Sequence, residues 1–163
     1  MNPDLCVPCG DGIVNIRVGA IIMKDGKILM VKNRMNDYFY SVGGRIKMGE
    51  IAEEAVVREV FEETGVRISV RRLAFVHENV FYGDSPAKRG QLVYEISFYF
   101  LMDIPGDFEP LCDSVTEDGV SEELCWLSPD APERLYPGFF RTELQHLSGN
   151  SCEVKFFRDD ERR

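Results

Sequence analysis

Gly44 to Val66 reads GRIKMGEIAEEAVVREVFEETGV, a glycine-rich loop running into a helix that Gly65 ends, as glycine commonly does just past a helix terminus. On that helix Glu59, Glu62 and Glu63 fall at i, i+3 and i+4, so the three carboxylates share one face. Ala55 lies four positions before Glu59 and Ala52 three before that, along the same stripe, which predicts that this face packs on the protein. Glu50, Glu53 and Glu54 fall elsewhere and read as solvated charge. Like charges on a packed face need neutralisation. A divalent cation supplies it, and clustered hard oxygen ligands suit magnesium or manganese paired with substrate phosphates.

The spacing around this helix resembles the signature of the Nudix hydrolases, which cleave nucleoside diphosphates linked to another moiety. Gly44, Glu50, Arg58, Glu59, Val60, Glu62, Glu63, Gly65 and Val66 fill every specified position of that signature. The resemblance implies an α/β/α sandwich with a central mixed sheet. It also implies Glu59, Glu62 and Glu63 as metal ligands, helped by the backbone carbonyl of Gly44, with Glu50 supporting the network. Family members often recruit a further glutamate, for which Asp113, Glu117, Glu122 and Glu123 are candidates.

The rest of the chain agrees with this reading. Its 163 residues, 44% apolar and 29% charged, suit one soluble domain spanning 1–163. A net charge of −9 argues against non-specific nucleic-acid or anionic-membrane binding. No basic region followed by an apolar run opens the chain and no stretch approaches a membrane span, so a cytoplasmic location is expected. Five cysteines are an odd number, and reduced thiols are the simplest reading. Cys6-Val7-Pro8-Cys9 has the spacing of half a zinc site, but no second half follows.

In chain order, Ile13–Met23 and Lys27–Val31 read as strands around an Asp25-Gly26 turn, and Tyr38–Val42 as a strand ending at Gly43-Gly44. Arg45 and Lys47 then stand where diphosphate oxygens could be met, or are solvated loop charge. Gly43, Arg45 and Lys47 are thus the substrate-binding candidates. Val66–Val76 and Gln91–Met102 read as strands flanking a loop at 83–90. Asp103 to Ser121 reads as a mobile surface loop, Leu124–Leu127 as a short strand, Pro137 as the start of a second helix, and Cys152–Phe157 as an edge strand before a charged tail. Strands, helix, strands, helix with few βαβ units is an α+β order.

The chemistry these residues predict is metal-dependent hydrolysis of a diphosphate linkage in a small-molecule nucleotide such as ADP-ribose, a nucleotide sugar or a nucleoside triphosphate. Glu59, Arg58 and Glu62 are the catalytic candidates, Arg58 through ion pairs to Glu54 and Glu62 along the helix. The alternative is a catalytically silent nucleotide-sensing module that regulates a partner, which should have lost signature glutamates. A homodimer is the default oligomeric expectation.

Overall fold

A computed structural model of the chain describes residues 2–84, 88–111, 119–147 and 151–162. Eleven strands and two α-helices follow in the order β1(Cys6–Cys9), β2(Gly12–Ile21), β3(Met23–Lys24), β4(Lys27–Asn33), β5(Tyr38–Ser41), β6(Gly43–Arg45), α1(Ala52–Thr64), β7(Ser69–Tyr82), β8(Leu92–Asp103), β9(Glu122–Leu127), β10(Arg134–Tyr136), α2(Phe140–Glu143) and β11(Lys155–Asp160).

The larger sheet runs β1-β2-β8-β7-β11, with β6 also paired to β2. β2–β8 and β7–β11 are parallel while β1–β2, β2–β6 and β7–β8 are antiparallel, so the sheet is mixed. The smaller sheet runs β10-β5-β4-β3, with β9 paired to β4.

Alternation along β2 and β8 builds two cores, one on each face of the large sheet. Val18, Ala20, Ile22, Phe100 and Met102 pack with Ala55, Val56 and Val60 of α1. Ile21, Phe75, Tyr99 and Leu101 pack with Phe140 and Leu144 on the other face. The sheet therefore lies between α1 and the α2 segment, as an α/β/α sandwich requires. Small Ala55 lets α1 approach the sheet closely, and Gly65 closes the helix with φ 72° and an N–H donated to Phe61 O. No helix is long and apolar enough to cross a membrane among the described residues.

Several elements differ from the sequence reading. Gly43 and Gly44 do not end β5; they form β6 themselves, pairing with Gly19 and Val18. β1 was hidden because Pro8 and exposed Cys9 give no alternating pattern, yet it pairs in register with Gly12–Asn15. The Pro137 helix is one turn, Phe140–Glu143, followed by a tighter turn at Leu144–His146. β11 continues through Asp160, into the segment read as charged tail, because β7 offers it parallel partners from Phe75 to Val80. Of the long 103–121 segment, residues 112–118 lie outside the described residues. Its described start is anchored: Phe108 is buried against the edge of the Trp126 ring, and Leu111 N–H bonds Thr64 O.

Candidate active site

The burial of Ala55, Val56 and Val60 fixes how α1 is rotated, and that rotation carries Glu59 and Glu63 to the glycine strand β6. Glu63, buried, accepts the Gly43 N–H at 3.0 Å through Oε1, while its Oε2 has no hydrogen-bond partner among the described residues. Glu59 packs against Gly44 so closely that a Cβ there would lie 2.4 Å from the carboxylate. Only glycine permits that approach. Glu62 behaves differently: its side chain is 51% exposed and turns to Arg58, 3.4 Å away, and Lys47, 4.0 Å away. The packed carboxylate face is thus made of two glutamates, with the third at its rim.

Arg58 ties the loop before α1 to this face. Its Nε and Nη2 grip Glu50 at 2.7 and 2.8 Å, Nη1 donates to Glu59 at 2.7 Å, and Nη2 also donates to Arg45 O at 2.9 Å. Glu50 completes the knot by accepting the Lys47 N–H at 3.0 Å. Two expectations are corrected here. Glu50 is not solvated charge but half-buried and doubly held, because the loop turns it back under the helix. Arg58 does not pair with Glu54, whose carboxylate instead accepts the Ile51 N–H at the helix start.

The electrostatics follow the geometry. Arg58's hydrogen bonds hold the Glu50 carboxyl below the usual range. Burial pushes Glu59 up despite Arg58. Glu63 rises well above the ordinary value through burial, which the Gly43 N–H opposes and the charges of Glu122 and Glu59 reinforce.

Among the candidate glutamates outside the signature, Glu122 opens β9, accepts a hydrogen bond from the Tyr40 hydroxyl and makes its charge felt at Glu63. Glu123 is its exposed neighbour, and Asp113 and Glu117 lie outside the described residues. Arg45 sits 3.5 Å from Asp4 at its Nη1. Sequence reasoning passed over Arg17, whose charge reaches Glu59 and Glu95. The alternation Asn15-Ile16-Arg17-Val18 was the signal that could have found it.

Among the described residues no three carboxylate, imidazole or thiol groups converge tightly enough to enclose an ion, since Arg58 draws Glu59 and Glu62 toward itself. The donor set nonetheless fits a hard divalent cation: an orphaned buried carboxylate oxygen on Glu63, Glu59 beside the Gly44 backbone, and Glu62 on a flexible rim.

The family model described as NUDIX domain matches residues 14–143. An ADP-ribose pyrophosphatase of Methanocaldococcus jannaschii is 38% identical over 94 residues, which cover 56% of this chain and 52% of that protein. A MutT-like protein of Streptomyces ambofaciens is 35% identical over 65 residues, 40% of this chain and 42% of that protein. The chain thus aligns with about half the length of these relatives. Among solved structures, the MutT protein of Methanosarcina mazei Go1 superposes with a TM-score of 0.59 at 20% identity, over 85% of this chain and 97% of that one. An ADP-ribose pyrophosphatase of Streptococcus suis gives 0.56 at 20% identity, over 87% and 98%. These similarities show the fold. With 14–143 matched by the family model, the chain belongs to the Nudix family.

Proposed function

We propose that this chain is a divalent-metal-dependent hydrolase of a diphosphate bond in a nucleoside diphosphate derivative. The observation that carries the proposal is the pair Glu59 and Glu63, held by burial against the Gly43-Gly44 backbone with raised carboxyl pKa values. Carboxylates strained by desolvation gain most from a nearby cation.

In this reading Glu59, Glu62, Glu63 and the Gly44 carbonyl hold the ion, magnesium or manganese. Bound there, such an ion supplies charge neutralisation across the diphosphate oxygens and lowers the pKa of an attacking water. Arg58 keeps Glu59 aimed at β6, and Glu50 keeps Arg58 in place. Glu59 is also the carboxylate assigned to take the water's proton. Arg45, which ends β6, and Lys47, in the loop between β6 and α1, are assigned to the diphosphate oxygens. The similarity to an ADP-ribose pyrophosphatase makes ADP-ribose the first substrate to assay. A single domain over 1–163, acting in the cytosol as a homodimer, belongs to the same proposal.

The test is turnover on a panel of ADP-ribose, nucleotide sugars and nucleoside triphosphates, with and without magnesium or manganese. Glu59→Gln should lower kcat by at least ~100-fold, the scale of a lost acid–base group. Turnover without divalent metal, or equal turnover in the variant, contradicts the proposal. Nucleotide binding with no turnover on any substrate would instead establish a sensing module.

A further inference from the structure

The segment before β1 folds onto the loop that follows β6. Leu5 N–H donates to Ile46 O at 2.8 Å and Met48 N–H to Pro3 O at 2.8 Å, with Asp4 paired antiparallel to Lys47 between them. β2 joins the same junction: Ile16 N–H donates to Leu5 O at 2.9 Å, and Ile46 N–H to Ile16 O at 3.1 Å. This pairing decides where the side chains go. Leu5 and Ile46 turn into the α1 core, so Asp4, Arg45 and Lys47, one position away along either strand, turn together to the opposite side. The family model starts at residue 14, so Pro3–Leu5 lies outside the matched segment.

One carboxylate is thereby held beside the two cations assigned to the diphosphate. Asp4 Oδ2 lies 3.5 Å from Arg45 Nη1, a contact of charges too long for a good hydrogen bond. The Arg45 side chain is 14% exposed and that of Asp4 40%, so the carboxylate is the member of the pair that reaches water. Among the described residues Asp4 has no other ion pair and no side-chain hydrogen bond, so turning away from Arg45 breaks no second contact. Lys47 likewise leans on a carboxylate, Glu62, at 4.0 Å. These contacts are loose beside the grip of Arg58 on Glu50 at 2.7 and 2.8 Å. A partly exposed ion pair is worth little, whereas a phosphate offers arginine short, bidentate, charge-assisted bonds. The weaker partner is the exchangeable one.

We propose that Asp4 is an internal competitor for the anion position at Arg45: its carboxylate balances the guanidinium until a substrate phosphate displaces it. The role of Arg45 in this proposal rests on the hydrolase reading. Pairing of Pro3–Leu5 with the loop keeps the carboxylate within reach, so it returns when the anion leaves. Displacement costs the same for bound substrate and transition state, so Asp4 raises KM and leaves kcat alone. It also turns away weak, singly charged anions, which would exchange one carboxylate charge for another without gain.

Calorimetric titration of the full chain with methylenediphosphonate in magnesium reads the anion position directly, since this probe has no hydrolysable bond. Asp4→Asn should bind it about two- to fivefold more tightly than wild type, the weight of a partly exposed ion pair. Asp4→Glu keeps the charge and should stay in the wild-type range. Arg45→Gln should bind more weakly than wild type and gain nothing when Asp4→Asn is added. Equal or weaker binding in Asp4→Asn, or a gain that survives in the Arg45→Gln background, overturns the proposal; weaker binding would show that Asp4 orients Arg45 instead. Absence of binding to both wild type and Asp4→Asn overturns it as well. If circular dichroism shows Arg45→Gln unfolded, Asp4→Asn and Asp4→Glu decide. Metal-dependent turnover with KM unchanged in Asp4→Asn would remove the competitor alone. Tighter probe binding in Asp4→Asn, with no diphosphate turned over by either protein, would remove the hydrolase reading alone.

Discussion

Glu63 is where sequence and environment conflict most sharply, a carboxylate placed in the interior with one oxygen unsatisfied among the described residues. Its pKa is raised in the folded chain, so its stabilising contribution is complete below the unfolded carboxyl value and is lost as pH rises through the folded one. At neutral pH without metal it is therefore destabilising. Glu63→Gln keeps an oxygen for the Gly43 N–H and removes the charge. Thermal melts in chelator should show the variant more stable than wild type at pH 7, with the gain shrinking as pH falls toward the ordinary carboxylate range. A variant melting at or below wild type at pH 7 would refute this assignment of strain. Gly44 gives a second residue-scale prediction. A methyl group there meets the Glu59 carboxylate at 2.4 Å, so Gly44→Ala should displace it. Activity should drop at least ~10-fold, since small misplacements of reacting groups are expensive. Undiminished kcat in Gly44→Ala would show that the close approach has no bearing on catalysis.

At the scale of elements, α1 depends on its two ends and on the knot around Arg58. Arg58→Ala leaves a half-buried Glu50 without its fork and frees the loop before the helix. Loss of charge-assisted hydrogen bonds of this kind costs about 1.5–3 kcal/mol. Urea unfolding should show that loss, and Arg58→Lys should recover only part, because an ammonium cannot reproduce the bidentate grip. Full recovery by lysine would mean charge alone matters. At the other end Gly65→Ala, forced to φ 72°, should cost about 1 kcal/mol in the same assay while leaving KM unchanged. The helix itself was legible in the sequence because its alanines, its closing glycine and the 3–4 spacing of its glutamates agree. The knot was not. Glu50 reaches Arg58 only after the loop folds back, and no helical spacing announces a contact made across a turn.

For the whole molecule, the two-faced sheet explains why the α+β order and the main strands could be read and the edges could not. β2, β7 and β8 carry long apolar alternation that is buried on folding, whereas β1, β10 and β11 are short or charged and exist through the partners they meet. The second α-helix was overestimated because Phe139, Phe140 and Leu144 suit a helical face, but a single turn already places Phe140 and Leu144 in the core beside Tyr99 and Phe75. The glutamates of the candidate site were readable from the signature, while Arg17 needed registers that only the assembled sheet provides. Manganese binding, followed by its paramagnetic resonance signal, tests the central claim most directly. Glu59→Gln and Glu63→Gln should each weaken binding at least ~10-fold, while Glu53→Gln on the exposed side of α1 should leave it unchanged. Equal manganese affinity in all three variants would contradict the account.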